Sequence, residues 1–137
     1  MNTTYRAGRS LKPFRRPWLW TTLWMLAIGG VVALSLLPPK DLPDLPIGND
    51  KVSHFLAYFA LMAGAVQLFA RRASWWLVAL LLVLFGIAME QLQGGMKLGR
   101  QLDTLDVLAN ALGVLAGLAT AITPLRDLLL RIDGGRG

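Results

Sequence analysis

Residues Leu105 to Thr123 read LDVLANALGVLAGLATAIT, and this stretch decides the fold class. Its length comes close to the about 20 helical residues that cross a hydrocarbon core of about 30 Å, so a run this apolar belongs in lipid. Asp106 and Asn110 nevertheless stand in its first turns. Burying a charge in hydrocarbon is costly, so an ionisable group there is by default a functional-site hypothesis. Further along, Ala109, Gly113, Gly117 and Ala121 recur every four residues, a spacing that lets another helix approach closely. Contact within one bundle is the commoner use of such a stripe. The same stripe also serves dimers, and oligomeric state stays open at this stage.

Three more windows resemble the first in length and character: Trp18 to Leu37, Val52 to Ala70 and Trp75 to Gln93. With 55% hydrophobic and 16% charged residues over 137 positions, the chain is too apolar for an ordinary soluble domain. A helix satisfies its own backbone in lipid, whereas a barrel needs short alternating strands, and no such alternation appears. The expected architecture is an all-α membrane protein, a four-transmembrane-helix bundle with spans at about 18–37, 52–70, 75–93 and 105–123. Residues 1–137 form a single domain without an internal repeat. After Pro124, the segment Leu125 to Ile132 sets leucines among Arg126, Asp127 and Arg131, the pattern of a short C-terminal interfacial helix that Gly134-Gly135 ends.

The formal charge of +6 raises nucleic acid as a partner, but ten of the fourteen Lys and Arg flank the hydrophobic windows. Topology explains them better, and no nucleic-acid partner is expected. Arg6, Arg9, Lys12, Arg15 and Arg16 precede the first window, Arg71 and Arg72 join the second to the third, and Arg126, Arg131 and Arg136 follow the fourth. The positive-inside rule puts these segments, and both termini, in the cytoplasm of a multi-pass membrane protein. The alternate loops then face outward. A cleaved signal peptide is the rival reading of the first window, but Ala33-x-Ser35 is a poor cleavage site with Pro38-Pro39 close behind. Trp18 and Trp20, and Trp75-Trp76, read as interfacial anchors. The outer loop from Pro38 to Asp50, with Pro43 and Pro46 inside it, reads as an extended, lid-like cover. With no cysteine there are no disulfides or thiolate metal sites.

Polar residues gather in three clusters, Asp50-Lys51-x-x-His54-x-x-x-Tyr58, Glu90-x-x-Gln93 and Arg100-x-x-Asp103-x-x-Asp106-x-x-x-Asn110. The second span enters from outside, the third leaves to the outside and the fourth enters again, so all three clusters converge on the extracytoplasmic half. Lys51, His54 and Tyr58, like Asp103, Asp106 and Asn110, lie at i, i+3 and i+7, an arc of roughly 60° on a helix turning about 100° per residue. Each residue also has a plainer reading. Lys51 and Arg100 serve equally as snorkelling interfacial cations, and Asp103 as a helix cap. His54, Glu90 and Asp106 lie deeper, where the alternative is an interhelical hydrogen-bond network, while Asn110 and Tyr58 read as lining residues.

These residues carry a resemblance. Asp-Lys-x-x-His-Phe-x-x-Tyr from Asp50 to Tyr58, Glu-x-x-Gln at Glu90 and Gln93, Gly99-Arg100, and Asp-x-x-x-Asn-x-x-Gly-x-x-x-Gly from Asp106 to Gly117 resemble the VanZ-like family of small bacterial membrane proteins. The likeness spans Asp50 to Leu118, about half the chain. Asp103 falls between the family's positions. The family takes its name from a protein associated with low-level teicoplanin resistance. The resemblance therefore implies a cell-envelope setting, action near lipid-linked or glycan components, and an effect on glycopeptide or lipoglycopeptide susceptibility.

Two classes of function follow. In the first, the outer site binds or modulates an amphipathic, lipid-linked or glycopeptide ligand among membrane lipids: Lys51, His54 and Arg100 meet phosphate or carboxylate, and Tyr58, Glu90, Gln93, Asp106 and Asn110 line it. In the second, the protein is a membrane-embedded hydrolase or transferase on a lipid-linked substrate, with catalytic candidates His54, Glu90 and Asp106. His54 or Glu90 is then the general base, and Asp106 orients it or holds a divalent cation. Binding is favoured by a small margin, because no nucleophile elbow, P-loop or His pair at metal-ligand spacing is present. Proton-coupled transport is disfavoured by the absence of polar residues deep in the inner half.

Overall fold

The computed structural model describes residues 11–36, 50–95 and 104–134, which form four long helices and a short fifth. They are α1 (Pro17–Leu36), α2 (Asp50–Leu68), α3 (Arg72–Gly95), α4 (Thr104–Ala119) and α5 (Leu128–Asp133). The 3-10 turns Thr120–Ile122 and Pro124–Asp127 link α4 to α5. No strand forms among the described residues beyond an isolated bridge between Leu11 and Phe69. The helix bounds follow the hydropathy windows closely, because apolar length is what a spanning helix must satisfy. Three of these helices are long and apolar enough to cross a membrane, over Pro17–Leu34, Arg72–Leu92 and Thr104–Ile122. The apolar stretch of α2, Val52–Leu68, is shorter than these.

Burial explains why α2 tolerates a shorter apolar run. It is the central helix: Tyr58, Leu61, Met62, Ala65 and Val66 are all buried, and its most extensive contact is with α4. Leucines such as Leu77, Leu80, Leu81 and Leu84 on α3 and Leu108, Leu112 and Leu115 on α4 are exposed instead. An exposed apolar surface this large suits a hydrocarbon solvent. The small-residue stripe of α4 faces inward against α2. A Cβ built on Gly113 would lie 2.4 Å from the Phe55 carbonyl oxygen, and one on Gly117 would lie 2.8 Å from that of Phe59 and 2.7 Å from Met62 Cβ. The stripe is thus used within the chain, where only glycine admits the neighbouring backbone.

Helix α1 is the loosest member, with no residue of its spanning window buried. Trp24 fastens it, donating from Nε1 to the Leu61 carbonyl at 2.9 Å, lying over Gly64 and packing edge-on against Phe69. The paired tryptophans divide their roles. Trp18 and Trp76 are exposed as interfacial anchors would be, whereas Trp20 donates to Asp133 at 2.9 Å and Trp75 to the Phe69 carbonyl at 2.7 Å. Their anchoring role therefore needs extending.

The segment after Pro124 likewise does more than lie at an interface. Pro124 opens its 3-10 turn under a Thr123 cap, and Gly134 closes α5 at φ 77°, a conformation glycine reaches without strain. Leu125, Leu128 and Ile132 point outward, but Leu130 is buried with Phe14 and Leu68 in a second small core. Gln67 ties α2 to this segment, donating to the Leu125 carbonyl and accepting from the Leu129 amide. The N-terminal segment is stitched in too, through Lys12 N–H to the Leu68 carbonyl.

Candidate functional site

Chain connectivity puts the start of α2, the end of α3 and the start of α4 at one end of the bundle, opposite the α5 cap. His54, Glu90 and Asp106 come from these three helix ends, and the structure brings them together. One side-chain ligand atom from each lies within 4.8 Å of the others. Glu90 is 2% exposed and Asp106 6%. Carboxylates this deep need compensating partners, because an isolated charge in a low-dielectric interior is expensive.

The imidazole of His54 is clasped on both sides. Nδ1 lies 2.9 Å from Asn110 Oδ1, and Nε2 lies 3.8 Å from Asp106 Oδ2. Since the amide oxygen only accepts, Nδ1 carries the proton toward Asn110, and a neutral ring then has its lone pair on Nε2. Asp106 and Asn110, one helical turn apart, thus meet opposite edges of the same ring. The wall behind them is made by Tyr58 and Gly86. A Cβ on Gly86 would lie 3.1 Å from Asn110 Nδ2 and 3.5 Å from Tyr58 Cε1, so the bare α3 backbone makes room for both side chains. Tyr58 is buried, its ring tilted against Phe85 at 6.2 Å.

Of the eight residues read as ligand-binding, five are therefore grouped: His54, Tyr58, Glu90, Asp106 and Asn110. Lys51 and Gln93 belong to the terminal turns of α2 and α3, but their side chains lie outside the described residues, as do Arg100, Asp103 and the proline-rich loop before Asp50. Gly86 was not singled out from the sequence. A signal was present, since it is the sole glycine within the Trp75 to Gln93 window.

A second polar cluster, at the opposite end, was read from the sequence only as topology-setting charge. Lys12 Nζ pairs with Asp127 Oδ1 at 2.8 Å, with both side chains almost inaccessible at 1% and 7% exposure. Its ammonium also donates to the Arg126 carbonyl. Burial pushes the Lys12 pKa below its ordinary value, opposed by the Asp127 hydrogen bond and charge. Asp133 accepts from the Arg15 amide as well as from Trp20. Partial burial pushes its carboxyl up, but the Trp20 bond, the backbone amides of Arg15 and Arg16 and the Arg16 charge together hold it below the ordinary value. Lys12 and Asp127 are the lock of the cap. Nothing in their spacing, 115 positions apart in sequence order, signals this pairing.

Chemically, the cluster of His54, Glu90 and Asp106 offers one nitrogen ligand and two carboxylates for a cation, or a base and two acids for proton transfer. No protein-family model, curated protein or solved structure matches this chain.

Proposed function

We propose that this chain is a VanZ-like, four-span protein of the bacterial plasma membrane, with both termini cytoplasmic, whose outer polar site binds or modulates a lipid-linked or amphipathic cell-envelope ligand. The observation that carries the reading is the meeting of His54, Glu90 and Asp106 from three helices at one buried point. Such a cluster costs stability in lipid, and a function explains its presence. The motif order from Asp50 to Gly117 supports the family, and the basic residues Arg15, Arg16, Arg71, Arg72, Arg126 and Arg131 at the opposite end support the orientation. Hydrolase or transferase chemistry on a lipid-linked substrate is the second reading, favoured by the His54 ring edge that faces Asp106.

The test couples function to folding. In cells expressing the chain, His54→Ala, Glu90→Gln and Asp106→Asn should each abolish its effect on lipoglycopeptide susceptibility, while membrane insertion and the melting of purified protein stay near wild type. Variants that keep the full effect, or lose it only in proportion to misfolding, would leave the cluster a packing network. Single cysteines at Asp44 and Leu98 test the orientation, since labelling of either from the cytoplasmic side alone would overturn it.

A further inference from the structure

We infer that His54, Glu90 and Asp106 form a binding site for a transition-metal dication of Zn2+ type. The ring supplies the first argument. Metal-bound histidines characteristically donate their other N–H to a carbonyl or carboxylate, which fixes the tautomer and aims the lone pair. Asn110 Oδ1 at 2.9 Å from Nδ1 is such a partner, and it turns Nε2 toward Asp106.

Distance supplies the second. The 3.8 Å between Nε2 and Asp106 Oδ2 exceeds a hydrogen bond by about 0.6 Å or more. Two ligands bound to one ion at about 2.1 Å lie roughly 3.4 Å apart at a tetrahedral angle and about 4.2 Å apart when opposed, so 3.8 Å falls inside that span. Drawing the whole set from its upper limit of 4.8 Å to the tetrahedral separation needs a closure of about 1.4 Å. Charge supplies the third: with a neutral imidazole, two carboxylates and a dication sum to zero, the arrangement that low-dielectric surroundings favour.

The ligand types select the ion. Mg2+ and Ca2+ take six or more oxygens, whereas one imidazole with two carboxylates suits Zn2+ and its neighbours. Three protein ligands leave a position open to water or to an oxygen of a bound molecule. The inference concerns the same cluster as the proposed ligand site, but it does not need that ligand to be correct.

The sequence makes the test clean. His54 is the single histidine and cysteine is absent, so imidazole ligation in tag-free protein reports this site alone. Full-length protein in detergent, stripped with a chelator, is titrated with Co2+ and followed by its visible d–d bands. The expected result is saturation at one equivalent, displacement by Zn2+, and no displacement by a thousandfold excess of Mg2+. His54→Ala, Glu90→Gln and Asp106→Asn should lose the bands, and Asn110→Leu should weaken binding about 10- to 100-fold through the freed ring. The melting midpoint of wild type should rise with Zn2+, because the ion bridges α2, α3 and α4.

Absence of saturable bands in folded wild-type protein would overturn the assignment, whatever the variants do. Bands that persist in both carboxamide variants would do the same. A susceptibility effect that depends on the three residues without metal binding would leave the ligand site standing and remove the ion. Metal binding lost in variants that keep the susceptibility effect would sustain the ion and remove the ligand site.

Discussion

Placing an alanine at Gly113 asks two packed backbones to separate. Its Cβ would lie 2.4 Å from the Phe55 carbonyl oxygen and 3.0 Å from the Phe59 nitrogen, where ordinary contact begins at 3.4 Å. The first contact is short by about 1 Å, and the atoms it meets are backbone, which cannot rotate away as a side chain can. Relief requires α2 and α4 to part, and a gap of that size forfeits roughly a quarter to a half of each dispersion contact along the seam. Overpacking of this kind costs about 1–3 kcal/mol, and contact with backbone places Gly113→Ala near the upper end. Alanine returns about 1 kcal/mol as the better helix former, leaving a net loss of about 2 kcal/mol.

Gly29 provides the control, because nothing lies within 4 Å of a Cβ built there. The same substitution at Gly29 should keep the helix-forming gain of up to about 1 kcal/mol with no steric cost. The two variants thus differ by about 3 kcal/mol, more than a hundredfold in the unfolding constant. Unfolding in mixed micelles by a denaturing detergent, followed by far-ultraviolet circular dichroism, measures both. Gly113→Leu should be worse than Gly113→Ala. Equal shifts for Gly113→Ala and Gly29→Ala, or a stabilised Gly113→Ala, would refute the close α2–α4 contact.

Other outcomes follow from the two polar clusters. Asp127→Asn should cost about 3–5 kcal/mol by leaving Lys12 buried without its counter-charge, and Lys12→Met with Asp127→Leu should recover most of that loss in the same unfolding assay. The Asp133 carboxyl is held below its ordinary 3.8, so the folded state binds this proton more weakly than the unfolded chain does. Its stabilising contribution is complete above that value and is lost as pH falls through the lower folded pKa; an acid titration of melting should show the loss in wild type and a smaller one in Asp133→Asn. Gly86→Ala should displace Asn110 from His54 with little change in stability, read as a weakened functional effect at near-normal melting.

Much of the fold was legible because apolar length is a one-dimensional signal. The four windows need only composition to be seen, and their ends fell close to those of α1 to α4. The meeting of His54, Glu90 and Asp106 was also legible, since antiparallel connectivity alone puts these positions at one end. What stayed hidden was azimuth and long-range pairing. Periodicity gives the face of α4 that carries Gly113, but not that α2 is the helix it meets, and nothing local to Lys12 distinguishes a buried ion pair from a cytoplasmic cation. The C-terminal leucines were read as membrane-seeking for the same reason. Leu125 and Leu128 do face outward, but Leu130 turns into a core that Phe14 completes from the far end of the chain.

The glycine seam and the polar site are one structure read at successive turns. Asn110 meets His54, Gly113 meets Phe55 and Phe59, and Gly117 meets Phe59, Met62 and Ala63, so each step along α4 matches a step along α2 in the same direction, away from the end that holds the polar site. Both helices run into the bundle from the same end only because a third, α3, returns the chain between them. A polar pair held across helices in lipid is worth only about 0.6 kcal/mol on average, too little to set the spacing of two helices by itself. Close backbone packing along Gly113 and Gly117 is the larger effect. It sets the separation at which the His54 ring fits between Asp106 and Asn110. Widening the seam by about 1 Å would therefore stretch the 2.9 Å His54–Asn110 contact beyond hydrogen-bond range before it unfolded the bundle. Loss of the site at temperatures where Gly113→Ala remains helical is the expected order of events, and a variant that melts before its site fails would place the cause of the His54 geometry elsewhere.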